Sequence, residues 1–317
     1  MKSLNLRILI LTFVFPFALV FAGCASSGAI QDGSQGGQYG KETSHLTGSQ
    51  YQSDKGILWK VEKPGVSASY VFGTIHSEDK RVTDLSDEIN AALNAANTFV
   101  MEVILDEKTS KMMLRGMYFS DGRTLKSVTS AQTYRQSVAA MAKKDMPEDL
   151  VDMMKPWAVF TVLNMPEQKT GMFLDVMLYE LSLKSGKKIV GLESMQEQLA
   201  VFDDMKIETQ VSLLESTLES GEDLNKILDE TMEIYLTHDL QQIMDLNDRY
   251  VALLDKDIAD EFNQRLLFDR NKRMTERMIP LIETGNAFIA IGALHLPGKS
   301  GVLNLLRNKG YALSAAY

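Results

Sequence analysis

From Ile57 onward the apolar and polar positions fall into short blocks whose period switches between two and about 3.6. "ILWKVEK" alternates, "KPG" at Lys63 to Gly65 is turn chemistry, and "ASYVFGT" alternates again, which predicts a β-hairpin. In "DLSDEINAALNAAN" Leu85, Ile89, Ala92, Leu93 and Ala96 share one helical stripe, with Asp84 or Ser86 available as N-cap. "TFVMEVIL" from Thr98 is apolar on both faces, the pattern of a buried strand.

Beyond Asp106 the pattern is helical to about Leu183, broken at "DGR" (Asp121), at Pro147 and at "KPW" (Lys155 to Trp157). A helix with Leu174, Met177, Leu178 and Leu181 on its apolar stripe ends at Gly186, and a strand "KKIVGLE" follows at Lys187 to Glu193. Amphipathic helices are predicted from Ser194 to about Glu283, with their acidic side solvated. "NAFIAIGALHLPG" closes the pattern as strand, glycine and histidine, ahead of a helix from Lys299 to Asn308 and a last strand from Tyr311. Buried strands alternating with helices predict an α/β fold, a mixed sheet flanked by helices with a large all-helical insertion at about 106–183 and a helical segment at about 194–283. No 20-to-50-residue repeat is present, which excludes a solenoid.

The first 56 residues break this rhythm. Lys2 and Arg7, the apolar run Ile8 to Ala22, and the small residues Gly23 to Ser26 make residues 1–23 an export leader. Cys24 is the chain's only cysteine and stands where "VFAGCASS" resembles a lipobox, with Phe21 in place of the usual leucine; a plain signal peptide with an incidental cysteine is the alternative. With Cys24 acylated no thiol is left for a disulfide or a thiolate metal site, so stability has to come from the core. Residues 24–55 are rich in Gly, Ser, Gln and Thr without apolar periodicity and read as a tether of about 30 Å root-mean-square span. The expected location is therefore outside the cytoplasm, lipid-anchored to a membrane, facing the periplasm where two membranes exist. Residues 56–317 remain as the folded domain. The formal net charge of −9 becomes −11 once Lys2 and Arg7 leave with the leader, which argues against nucleic acid as partner.

The chemistry follows from a repeat. "VFGTIH" and "AIGALH" share strand, glycine, two residues and histidine, and they use two of the chain's four histidines, His76 and His295. In each, the glycine permits a turn or a close backbone approach and places the histidine in the loop beyond the strand. Parallel neighbouring strands would bring both imidazoles to the carboxyl edge of the sheet, where open α/β sheets keep their ligands. Glu102 sits inside the apolar "FVMEVIL". A carboxylate buried there has to be neutralised by a proton, a cation or a metal, and an ion pair with a helix arginine is the plain alternative to a ligand role. Two imidazoles and one carboxylate form a three-ligand set that leaves positions open for water and substrate. Glu193, closing "KKIVGLE", is a candidate base, ligand or supporting carboxylate, or a helix-capping residue beside Ser194. Arg270 and Asn271 in "FDRNKRM" are candidates for holding a peptide carbonyl or pairing with Glu102, with an ordinary solvated helix face as the plain alternative. His45 falls in the tether and His238 on the acidic helices, and neither is assigned a role.

These residues carry a resemblance. "LWKVEK", "YVFGTIH", Met101-Glu102, "KPW", "GKKIVGLESMQEQL", "DRN" and "IGALHLPGKSGVLNLLRNKGY", in this order, resemble the TraB/GumN family, related to the Tiki proteases. The resemblance implies a fold shared with erythromycin esterases and a haem-binding lipoprotein. For Tiki-like members it implies cleavage of a peptide or protein by a hydrolase dependent on a divalent metal, manganese or cobalt first and zinc second. Carried over by position, the metal ligands are His76, Glu102 and His295, with Glu193, Arg270 and Asn271 in support. Asp175 in "GMFLD" matches the family's Gly-x-Asp segment only loosely. A non-catalytic lipoprotein of the same fold, holding haem, metal or a peptide, is the alternative.

Overall fold

The computed structural model describes residues 55–166, 169–219 and 224–317. The leader, Cys24, His45 and the tether to residue 54 lie outside the described residues. Six strands form one mixed sheet: β1 Leu58–Glu62, β2 Ser69–Thr74, β3 Thr98–Met101, β4 Lys188–Gly191, β5 Ala287–Gly292 and β6 Ala312–Ala315. Their order is β4-β3-β5-β2-β1-β6, with β4, β3, β5 and β2 mutually parallel and β1 antiparallel to both β2 and β6.

The predicted hairpin is present, with Leu58 opposite Phe72 and the connecting turn passing through Gly65 at φ +80°. β5 is buried at every position, as a strand inside a parallel sheet must be. Phe288 at its centre packs on Phe72 and Phe99 of the strands either side, with ring centroids 5.8 and 6.3 Å apart. Such aromatic pairs add to the apolar area they bury.

Among the described helices are α1 Asp87–Ala95, α2 Leu174–Lys184, α3 Met195–Asp203, α4 Asp269–Thr284 and α5 Val302–Asn308. Of the two candidate caps, Ser86 caps α1 by accepting from the Ile89 N–H. Ser194 caps α3 in a reciprocal box with Glu197. Between Asp106 and Leu183 every described helix or strand is a helix.

Four local expectations need correction. β3 stops at Met101 because its β5 neighbour pairs only as far as Ala290, so Glu102 lies just past the strand and not within it. On α2 the buried positions are Leu174, Val176, Leu178 and Ser182, while Leu181 is exposed, so the apolar stripe is rotated from the one the leucines suggest. Gly73 belongs to β2, so no turn is made there. The helix near the C-terminus begins at Val302, after a turn through Gly298 at φ +84°.

Candidate metal centre

The parallel strands deliver their carboxyl ends to one edge, and every candidate ligand leaves from that edge. Thr74 of β2 is in register with Gly292 of β5, so His76 and His295 depart from adjacent strands. His295 completes a single 3-10 turn, Ala293 to His295. The two motifs touch directly: a Cβ on Gly73 would sit 2.7 Å from Leu296 Cδ1 and 3.0 Å from Ala293 Cα. Glycine is required there for close approach rather than for a turn.

Glu102 is drawn in from the third strand. Its Oε1 accepts the Gly292 N–H at 2.8 Å, which ties the end of β3 to the second motif. The Leu192 and Glu193 N–H groups donate to the Met101 and Glu102 carbonyls at 2.8 and 2.7 Å, and so bring Glu193 alongside Glu102.

Each imidazole is held through Nδ1. His76 Nδ1 donates to Asp175 Oδ2 at 2.6 Å, and Asp175 Oδ1 accepts from the Thr74 hydroxyl at 2.7 Å. Asp175 lies in the first turn of α2, which is anchored by the Leu174 N–H bond to the Ser77 carbonyl. Burial alone pulls the His76 pKa down, but the Asp175 carboxylate outweighs it and the net shift is upward.

His295 is fully buried, and its Nδ1 lies 2.5 Å from Asn271 Oδ1. The Asn271 amide nitrogen donates to the Ser300 carbonyl at 2.9 Å, so its oxygen faces the ring and the proton sits on His295 Nδ1. The Nε2 lone pair is left without a hydrogen-bond partner, 3.8 Å from Glu102 Oε1. Burial, and then the charge of Arg270, push the His295 pKa far down, so the ring is neutral. Two Lewis bases, an imidazole nitrogen and a carboxylate oxygen, therefore face each other in the interior.

Glu102 is also paired. Arg270, with no exposed surface, places Nη2 2.6 Å from Glu102 Oε2 and 2.7 Å from Glu193 Oε2, and its Nε bonds Glu193 Oε2 at 2.9 Å. It stands on α4, where a π turn at Gln264–Phe268 precedes the helix and Arg270, Asn271, Met274 and Met278 form the buried face. Arg273 bonds the other Glu193 oxygen. Burial raises the Glu102 pKa and, despite Arg270, leaves it above the usual range. The same burial acts on Glu193, but two guanidiniums overcome it and hold that pKa low. Removing one partner from so enclosed a cluster costs about 3–5 kcal/mol.

His76, Glu102, Glu193, Arg270, Asn271 and His295 thus all reach one edge of the sheet, and of the alternatives open in sequence Arg270 takes the pairing with Glu102 and Glu193 lies beside it as a supporting carboxylate. Glu193 is neither an exposed cap nor placed as a base, because both of its oxygens are engaged by arginines. Arg270 and Asn271 face Glu102, Glu193 and His295 in the interior, so neither is turned toward an incoming carbonyl. Asp175, only loosely matched in sequence, is the direct partner of His76. Tyr235, whose hydroxyl donates to the Gly73 carbonyl at 2.7 Å, had no sequence signal at all. His238 packs on the Tyr317 ring, with centroids 4.7 Å apart.

Among the described residues no three His, Cys, Asp or Glu side chains are gathered closely enough to hold an ion as they stand. The donor set nevertheless fits one chemically: His295 Nε2 is orphaned beside a carboxylate oxygen, and both rings are fixed through Nδ1 by an oxygen acceptor, the arrangement that orients metal-binding histidines.

The sequence profile of the TraB/PrgY/gumN family matches residues 57–315. The chain is 23% identical over 312 residues to metalloprotease TIKI2 of Danio rerio, covering 80% of this chain and 60% of that protein. It is 23% identical over 316 residues to a metalloprotease TIKI homolog of Nematostella vectensis, covering 80% and 66%. An uncharacterized protein of Treponema pallidum (strain Nichols) is 21% identical over 276 residues, covering 80% of each. The chain thus spans less than two thirds of the length of the two TIKI proteins. No solved structure matches significantly.

Proposed function

The chain belongs to the TraB/PrgY/gumN family, and from that premise we propose that it is a metal-dependent peptidase. Its cation, manganese or cobalt by preference, is held by His76 Nε2, His295 Nε2 and Glu102. One observation carries the reading: a fully buried imidazole nitrogen, deprotonated by the placement of its own tautomer and without a partner, faces the Glu102 carboxylate. A divalent ion bound there supplies Lewis acidity, polarising a carbonyl and acidifying water.

The chain's own residues do the rest. Asp175 and Asn271 occupy each ring's Nδ1, which leaves the two Nε2 atoms as the nitrogens that would take a cation. Gly73 sets how closely the two motifs approach, through Leu296 and Ala293, and the Gly292 N–H ties Glu102 to the second motif. Arg270 counters the burial that disfavours the Glu102 carboxylate, while Glu193, itself held by Arg273, holds the Arg270 guanidinium. In this reading Glu193 positions Arg270 and is not the base.

The substrate is a peptide or protein met outside the cytoplasm, with Cys24 as the lipid anchor and residues 24–55 as the tether. Detergent-phase partitioning of wild type and Cys24→Ser tests the anchor. A peptide-library assay with manganese or cobalt, on wild type, His76→Ala and His295→Ala, tests the activity. Turnover in wild type that both variants lose is expected. Equal turnover in all three, or none with any metal, overturns the proposal.

The pairing of Glu102 with Arg270 also favours a second reading, a binding protein whose site is neutralised without a resident ion. Haem titration distinguishes it, since coordination by imidazole gives a Soret shift that His76→Ala or His295→Ala abolishes.

A further inference from the structure

We infer that Arg270 is a built-in counter-cation for Glu102, a gate that a divalent ion has to displace, and that Glu193 is the dock that receives the displaced guanidinium. The inference rests on the metal-site reading above and names the group that regulates entry to it.

The geometry supplies each part. One nitrogen, Arg270 Nη2, bridges two carboxylates, at 2.6 Å from Glu102 Oε2 and 2.7 Å from Glu193 Oε2. A second nitrogen, Nε, binds Glu193 Oε2 alone at 2.9 Å. The guanidinium is therefore held more firmly by Glu193 than by Glu102, and it can leave Glu102 while keeping a bond to Glu193. Glu193 is a strong dock because its other oxygen is held by Arg273, which is itself 3.7 Å from Glu197. Glu102 is divided in the same way: Oε2 faces Arg270, while Oε1 takes the Gly292 N–H and faces the unpartnered His295 Nε2.

Charge explains why a gate is needed. Without a cation, Glu102 would be an uncompensated buried carboxylate, and Arg270 prevents that. With a divalent ion beside His295, the guanidinium on Glu102 becomes a repelling neighbour a few ångströms away, and repulsion at that range is well above thermal energy even at an effective dielectric of about 20. Arg270 thus stabilises the empty site and opposes the filled one.

Manganese titration followed by electron paramagnetic resonance, with melting temperatures taken with and without manganese, tests this on the whole folded chain. Arg270→Gln is expected to melt lower than wild type without metal and to bind manganese about tenfold more tightly or better, since a repelling charge is gone. Glu193→Gln is expected to bind more weakly than wild type, because the guanidinium loses its dock and stays on Glu102. A residue needed only for folding would lower both melting temperatures without moving the two affinities in opposite directions. Manganese uptake by Arg270→Gln alone supports the gate in its strictest form. Equal or weaker binding by Arg270→Gln, with wild type binding normally, overturns the gate and leaves the metal site standing. No manganese bound by either protein overturns both. If Arg270→Gln does not fold, Glu193→Gln decides: weaker binding supports the gate, and unchanged or tighter binding overturns it.

Discussion

Gly73 of the first Gly-x-x-His motif packs against Leu296, the residue that follows the second motif's histidine, so closely that a Cβ would stand 2.7 Å from Leu296 Cδ1. The two motifs are thus one packed unit. Gly73→Ala has to move either the Leu296 side chain or the Ala293 backbone, 3.0 Å away, and overpacking of this kind costs about 1–3 kcal/mol. The melting temperature should fall by several degrees, at about 2–4 °C per kcal/mol for a domain of this size. Gly73→Ala with unchanged melting temperature in differential scanning calorimetry would show that the motifs are not tightly packed.

The histidine motifs were legible because a strand pattern, a glycine and a histidine recur twice, and the unbroken apolar residues on both sides of Glu102 announced an interior carboxylate. The sheet class was legible from buried runs between helical ones. What local pattern cannot carry is pairing across the chain. Asp175 meets His76 over a separation of 99 residues, and Arg270 meets Glu102 over 168. Neither contact leaves a periodicity, and "GMFLD" reads simply as the start of a helix. Apolar residues continue past Glu102 to Leu105 and extend the strand pattern, whereas pairing with both neighbours of β3 ends at Met101, opposite Ala290 of β5 and Gly191 of β4. The rotated stripe of α2 has the same origin: Val176 is inside and Leu181 outside because of what the helix rests on, not because of hydrophobicity along it.

Asp175 sets the protonation of His76. In metal-free protein Asp175→Asn removes the charge that outweighs burial, so the His76 pKa should drop from above to below its ordinary 6.5. A histidine whose folded pKa is raised adds stability that is full below 6.5 and lost as pH climbs through the raised value. The melting-temperature gap between wild type and Asp175→Asn should therefore be wider at pH 5.5 than at pH 8.5. An NMR titration of the imidazole gives the pKa directly, and an unchanged value in the variant would contradict the pairing.

At the outer end of the charge network, Glu197 accepts from the Ser194 N–H at 2.8 Å and from Arg277 at 2.8 and 2.7 Å. These bonds hold its pKa down to about 2, with the Arg277 hydrogen bonds the largest cause. A depressed carboxylate adds stability above its ordinary value near 4.5 and loses it as pH falls toward 2. Glu197 is partly exposed, so solvent screening limits the gain to about 1 kcal/mol or less. Glu197→Gln should be less stable than wild type at pH 7, and the difference should vanish progressively in urea melts taken from pH 4.5 downward. A difference that persists undiminished at the acid end would assign the effect to packing instead.

Asn271 decides which nitrogen of His295 carries the proton, because its oxygen is the only atom it can turn toward Nδ1 while its nitrogen serves the Ser300 carbonyl. Asn271→Leu leaves a buried N–H unsatisfied, at a cost of about 1–3 kcal/mol. The ring can escape that cost by moving the proton to Nε2, where Glu102 Oε1 stands 3.8 Å away. That proton occupies the lone pair a metal needs, so manganese affinity should fall about 10–100-fold, the usual effect of losing a residue that orients a ligand. Asn271→Asp keeps an oxygen at Nδ1 and should preserve the Nδ1–H tautomer, which separates orientation from mere loss of packing. Imidazole nitrogen shifts in labelled, metal-free protein read the tautomer without reference to activity: Nδ1–H is expected in wild type and Asn271→Asp, Nε2–H in Asn271→Leu. Wild-type shifts reporting Nε2–H, or an Asn271→Leu protein that binds manganese as tightly as wild type, would remove His295 from the proposed ligand set.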